Sequence, residues 1–135
     1  MIRFEHYALN LADPHSVADW YVTNFDCRIL SRLDQEPFTV FLGDNQGRIF
    51  WEIYHNTKAP LSPVRDVDPL VYHLAFSVEA LDAVRDRAIA AGATFVEEVN
   101  TASGSRLVML RDPWGIAVQL CHRIPPLLAE EKPDA

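Results

Sequence analysis

The stretch FEHYALNL, residues 4–11, is answered 67 positions later by VYHLAFSV, residues 71–78. A second pair obeys the same displacement: IFWEIY at 49–54 and IAVQLC at 116–121. One ungapped shift lays His6 on His73 and Glu52 on Gln119. It carries apolar positions with it: Leu9 falls on Phe76, Leu11 on Val78, Val17 on Val84 and Ile53 on Leu120. A repeat accounts for the shared hydrophobic pattern, because each copy must bury one face of the same supersecondary unit. It does not account for imidazole and carboxylate or amide side chains recurring at matched positions in otherwise apolar strands. Those four residues carry the functional signal.

Periodicity orders the rest of each copy. Residues 2–11 alternate, with Tyr7, Leu9 and Leu11 on one face and His6, Ala8 and Asn10 on the other, the pattern of a half-buried strand. Asp13-Pro14 supplies a helix N-cap and a first-turn proline, and Val17, Trp20, Tyr21 and Phe25 follow at helical spacing. Strands are expected over CRILSRL, PFTVFLG and RIFWEIY, the last two joined by a turn at 43–47. The second copy repeats the order. A strand over 70–78 puts Leu70, Tyr72, Leu74, Phe76 and Val78 on one face and His73, Ala75 and Ser77 on the other. A helix over about 79–91 buries Leu81, Val84 and Ala88 and ends at Gly92. Strands near ATFVEE, SRLVMLR and GIAVQLC complete it, with a tight turn at Asp112-Pro113-Trp114-Gly115. Residues 57–68 read as a proline-bearing linker between modules of about 1–56 and 69–122, and 123–135 as a C-terminal tail.

The 135-residue chain fits one domain with a real core, and its 49% hydrophobic and 23% charged content is that of a globular protein. A net charge of −7, with no Lys/Arg cluster, argues against a nucleic-acid backbone as partner. No apolar run reaches the roughly 20 residues that cross a bilayer, so no membrane partner is expected. The start lacks the basic region and apolar block of a secretory signal. The expected compartment is the cytoplasm, where Cys27 and Cys121 stay reduced as core residues.

Strand parity decides where the polar residues point. Glu52 shares a face with Phe50 and Tyr54, opposite Ile49, Trp51 and Ile53. Gln119 shares one with Ala117 and Cys121, opposite Ile116, Val118 and Leu120. His6, Glu52, His73 and Gln119 are therefore all expected on the side of the sheet that the helices leave uncovered. The other histidines carry less: His15 opens a helix and is expected to face solvent, while His55 and His122 mark strand ends. Ser-His-Asp, P-loop and dinucleotide fingerprints are absent from the sequence.

The doubled β-α-β-β-β order, the early-strand His, the late Glu of the first copy, V-Y-H-L-A-F-S-V and the D-P-W-G turn resemble the vicinal oxygen chelate superfamily. Its members include glyoxalase I, methylmalonyl-CoA epimerase, extradiol dioxygenases and the fosfomycin and bleomycin resistance proteins. The resemblance covers roughly residues 1–122 as a single glyoxalase-like domain. It implies an α+β fold: two βαβββ modules forming a cupped eight-stranded mixed sheet, helices on the outer face. It further implies a homodimer and one divalent metal ion (Zn, Ni, Co, Mn or Fe(II)), with ligands falling on His6, Glu52, His73 and Gln119. Imidazoles and a carboxylate suit such an ion and leave positions open for substrate oxygens. The family more often has Glu at the position of Gln119; a glutamine is neutral and is no base.

Three functions are compatible with this pattern. One is a metal-dependent lyase or isomerase of the glyoxalase or epimerase kind, with an enediolate-like intermediate and Glu52 as the one candidate base. Another is an Fe(II)-dependent ring-cleaving dioxygenase, which normally wants a carboxylate where Gln119 stands. The third is a non-catalytic protein that sequesters a small apolar or aromatic compound. The first is the preferred expectation, with a small-molecule substrate whose pocket includes Phe50, Tyr54 and, for an anionic group, Arg106.

Overall fold

A computed structural model describes residues 1–129 of the chain. Its elements come in one order twice. First are β1 (Tyr7–Asn10), α1 (Pro14–Phe25), β2 (Arg28–Arg32), β3 (Val40–Gly43) and β4 (Ile49–Tyr54). Then follow β5 (Leu74–Ser77), α2 (Leu81–Ala90), β6 (Thr94–Asn100), β7 (Arg106–Arg111) and β8 (Ala117–His122). The chain divides into two compact units, Met1–Pro63 and the part from Val64 onward. Each holds one four-stranded mixed sheet, ordered β1-β4-β3-β2 in the first and β5-β8-β7-β6 in the second. In both, the opening strand runs parallel to the closing one and the remaining neighbours are antiparallel. Among the described residues the fold is α+β with eight strands and two helices, as the repeat implies.

In the first unit, α1 starts where Asp13 accepts a hydrogen bond from the Ser16 amide at 3.2 Å, with Pro14 behind it. Hydrogen bonding from the Ser16 side chain, with this amide bond second, holds the Asp13 carboxyl below its usual range. The helix stops at Asp26, whose φ of 54° is left-handed. Its inner stripe, Val17, Ala18, Tyr21 and Phe25, is buried against Val40, Leu42, Trp51 and Ile53 of the sheet core. Trp51 is fully buried, its ring edge-on to Tyr21 at 5.1 Å. In the second unit Leu81 and Ala88 of α2 pack with Val108, Leu110, Val118 and Leu120 in the buried set.

The opening strands are shorter than alternation suggests. Among the described residues each pairs with a neighbour on one side only, so ladder bonds do not extend it. Leu70 and Tyr72, expected on the helix-facing side, are 83% and 38% exposed. The Val71 amide donates to the Asp68 carbonyl at 2.9 Å and the Leu70 amide to the Asp68 carboxylate at 2.8 Å, which turns this stretch before β5 begins. The alternation there is real, but the backbone bonds go to a turn.

The linker is anchored at both ends. Buried Asn10 donates through Nδ2 to the carbonyls of Asn56, Ala59 and Pro60 at 2.9, 3.2 and 3.0 Å. Its Oδ1 accepts from the Asn56 amide at 2.7 Å, and its backbone exchanges bonds with Ser62. Further on, Arg111 donates to the carbonyls of Val64, Val67 and Gly115. Gly115, at φ +92°, lets Arg65 approach so closely that a Cβ would stand 2.8 Å from the Arg65 Cα. The end of the expected tail, residues 130–135, lies outside the described residues.

Candidate functional site

In the first unit the ladder centres on Glu52, which stands beside Ala8 of β1 and opposite Phe41 of β3. Its neighbours Trp51 and Ile53 are buried on the helix side, so the half-buried Glu52 side chain emerges on the other. His6, one residue ahead of β1, places Nε2 2.9 Å from Glu52 Oε2. The imidazole meets the Phe41 ring edge-on at 5.4 Å. On its far side, Nδ1 lies 2.9 Å from Glu5 Oε1. Phe41 and Glu5 were not singled out from sequence. Parity gives the first, because Phe41 alternates with core residues Val40 and Leu42; nothing in the pattern marks Glu5.

The second unit repeats the frame with different chemistry. Gln119 sits between Ala75 of β5 and Met109 of β7, on the side away from fully buried Val118 and Leu120. Its Oε1 accepts from the Cys121 thiol at 3.3 Å. His73 immediately precedes β5, and its Nδ1 is 2.8 Å from the Pro69 carbonyl. A carbonyl only accepts, so Nδ1 carries a proton, and in the neutral ring Nε2 then holds the lone pair. Among the described residues no three His, Cys, Asp or Glu side chains form a group able to hold a metal. Of the sequence-selected ligands, the structure joins His6 to Glu52 directly.

The remaining selected residues divide. Phe50 and Tyr54 are half-buried on β4 and share the parity of Glu52, with the Phe50 ring 5.6 Å from Trp51. Arg106 is a correction. It pairs with His122 in the ladder and shares the parity of Val108 and Leu120, opposite Gln119. Its guanidinium is held by Asp82 of α2 at 2.9 Å and Glu98 of β6 at 2.6 Å. It ties helix to sheet and is spent there, which holds the Asp82 carboxyl below its usual range.

His55 and His122 do more than mark strand ends. His55 Nδ1 donates to the Leu11 carbonyl at 2.9 Å and His122 Nδ1 to the Val78 carbonyl at 3.2 Å, which are equivalent bonds under the 67-residue shift. Each fastens the closing strand to the residue just past the opening strand, at the end away from His6 or His73. His15, expected in solvent, is half-buried and bonds the Leu33 carbonyl at 2.9 Å. Both cysteines are free and buried. Burial pushes the Cys27 thiol up to about 12, with Asp44 and Asp26 adding to it, and also raises Cys121.

The sequence profile described as the Glyoxalase/Bleomycin resistance protein/Dioxygenase superfamily matches residues 3–120. No curated protein matches the chain. Solved structures share its fold. One is SMU.1112c, 22% identical with a TM-score of 0.66, over 90% of this chain and 99% of that one. Another is TnmS3, an antibiotic binding protein from Streptomyces sp. CB03234, 16% identical with a TM-score of 0.66, over 89% and 94%. A third is a glyoxalase/bleomycin resistance protein from Albidiferax ferrireducens T118, 20% identical with a TM-score of 0.61, over 89% and 98%. No helix among the described residues is long and apolar enough to cross a membrane.

Proposed function

The chain belongs to the Glyoxalase/Bleomycin resistance protein/Dioxygenase superfamily, and from that premise we propose that it is a metal-dependent lyase or isomerase of the glyoxalase or epimerase kind. The reaction moves a proton at the carbon beside a carbonyl group of a small oxygen-bearing substrate. The observation that carries this reading is the 2.9 Å separation of His6 Nε2 and Glu52 Oε2. Two ligands with bonds of about 2.0–2.1 Å, set at a right angle on one ion, stand about 2.9 Å apart. The same separation is that of a direct hydrogen bond, so the pair stands at a spacing that either a shared proton or adjacent ligation of one ion satisfies. His73, with its Nε2 lone pair available, and Gln119 complete the proposed set of four. Zn, Ni, Co, Mn and Fe(II) all suit such donors.

A bound divalent ion would supply Lewis acidity to a substrate oxygen. The chain supplies the rest. Glu52 is the one anion among the four residues, so it is the group that accepts the proton from carbon and returns it. Phe41 and Phe50 give this face apolar neighbours that limit water around the carboxylate. Metal analysis of protein purified without added metal or chelator tests the first half of the reading. Turnover of a hemithioacetal or another α-acidic carbonyl compound by metal-loaded protein tests the second. A Glu52→Gln variant that retains this activity would overturn the assignment of the base.

A second reading, sequestration of a small apolar or aromatic compound without turnover, draws support from two observations. TnmS3, of the same fold, is an antibiotic binding protein, and the Gln119 oxygen here is already engaged by Cys121. Tight ligand binding by metal-free protein, with no product formed in the presence of metal, would favour it. A homodimer is also proposed. Phe4 is 76% exposed, and Ile2, Leu70 and Val71 are exposed beside His6 and His73, apolar surface of the kind a second copy covers. Light scattering showing only monomer at micromolar concentration would refute the dimer.

A further inference from the structure

His6 lies between two carboxylates. Nε2 is 2.9 Å from Glu52 Oε2 and Nδ1 is 2.9 Å from Glu5 Oε1. Carboxylates only accept, and a neutral imidazole has one N–H to give. When the proton sits on Nδ1 toward Glu5, Nε2 presents a lone pair toward Glu52, an arrangement that a cation between them satisfies. The second unit holds the same ring nitrogen in the same way: Nδ1 of His73 is bound by the Pro69 carbonyl at 2.8 Å.

The two restraints are not inherited from the duplication. Under the 67-residue shift Glu5 falls on Tyr72, and Pro69 falls on Ile2. Each histidine has acquired an acceptor on Nδ1 from a non-equivalent residue. A shared ancestor explains the histidines, but it does not explain two independent ways of fixing their tautomer. Both place the restraint on Nδ1 and leave Nε2 as the nitrogen turned away from it. A hydrogen-bond acceptor behind a metal-binding imidazole fixes tautomer and ring plane and raises ligand basicity, and its loss typically weakens metal affinity about 10–100-fold.

We propose that Glu5 is a positioning residue for His6, orienting its imidazole and placing a negative charge behind it, so that His6 is the stronger of the two imidazole donors. This rests on the metal reading above. The test is Co²⁺ binding by calorimetry and visible absorption, measured on the full chain for the native protein, Glu5→Ala, Glu5→Gln and His6→Ala. Glu5→Ala should weaken Co²⁺ binding by about tenfold or more and shift the cobalt absorption bands. Glu5→Gln, which keeps an acceptor oxygen without the charge, should recover part of the loss.

Glu5 is itself mostly exposed, so urea midpoints should match across the Glu5 variants. If Glu5→Ala lowers the midpoint, the nearly isosteric Glu5→Gln decides. Binding and spectrum within twofold of native in both Glu5 variants, with binding lost in His6→Ala, would refute the role of Glu5 and leave the metal site standing. No binding by the native protein, or undiminished binding by His6→Ala, would remove the metal site and this role together.

Discussion

Replacing Asn10 by alanine removes the hub that holds residues 56–62 against β1. The side chain is 6% exposed and offers two amide protons to three carbonyls and one oxygen to the Asn56 amide. Three hydrogen bonds at about 0.5–1.5 kcal/mol each give about 3 kcal/mol, part of it the Asn56 N–H left without a partner. With a urea m-value of about 2 kcal/mol/M, the unfolding midpoint should fall by roughly 1.5 M at unchanged m. Hydrogen exchange should localise the loss to the amides of Asn56 and Ser62. Asn10→Asp separates hydrogen bonding from packing, since a carboxylate would face three carbonyl oxygens. At pH 7 it should be less stable than Asn10→Ala. Its folded-state pKa would be raised, because the protonated acid can donate. The aspartate variant should therefore be most stable below the ordinary Asp range and lose that stability as pH rises through the folded value. An alanine loss under about 1 kcal/mol, or an aspartate variant stronger than alanine at pH 7, would show that residues 56–62 hold themselves.

Gln119→Glu should tighten divalent-metal binding, read by calorimetry, since it restores a second anionic ligand, whereas Glu52→Gln should remove lyase or isomerase activity at saturating metal. Gly115→Ala and Gly47→Ala both put a side chain at positive φ, but only the first meets the Arg65 backbone. Chemical denaturation should therefore show Gly115→Ala to be the more costly by about 1–3 kcal/mol. Asp82, its pKa lowered by Arg106 and Arg85, contributes stability above the unfolded Asp pKa that is lost as pH falls through the lowered folded value. Arg106→Ala should flatten the acid limb of a thermal-unfolding pH series, and an unchanged limb would show the ion pair to be inert.

Much of the fold is written in local alternation. The buried Trp51 and Ile53 against the outward Glu52, and Val118 and Leu120 against Gln119, follow parity, while Ala117 and Cys121 on the face of Gln119 are buried as well. The Asp13-Pro14 cap begins α1 where its chemistry says it should. Parity fails where backbone bonds leave the ladder: Leu70 and Tyr72 keep the alternating pattern, but Asp68 turns the chain beneath them. At the site, repeat matching found the positions of His6, Glu52, His73 and Gln119 but not their partners. Glu5, Pro69 and Cys121 act through contacts that no spacing announces, and Arg106 was misplaced because its carboxylates lie 24 and 8 residues away in sequence. The bonds made by Asn10 likewise depend on a loop 46–52 residues distant.

The anchoring of the connecting segment has a consequence for what a cut in the chain can release. Residues up to Ser62 are fastened to the first unit and residues from Val64 to the second, so the slack between them is about one residue, a few ångströms of chain. Each unit closes its own sheet and its own anchoring bonds on its own side of Pro63. Cutting the chain there should therefore leave two sheets that each retain their internal hydrogen bonds, and amide exchange of the cut protein should match that of the intact chain at Asn56, Ser62 and the β7 amides.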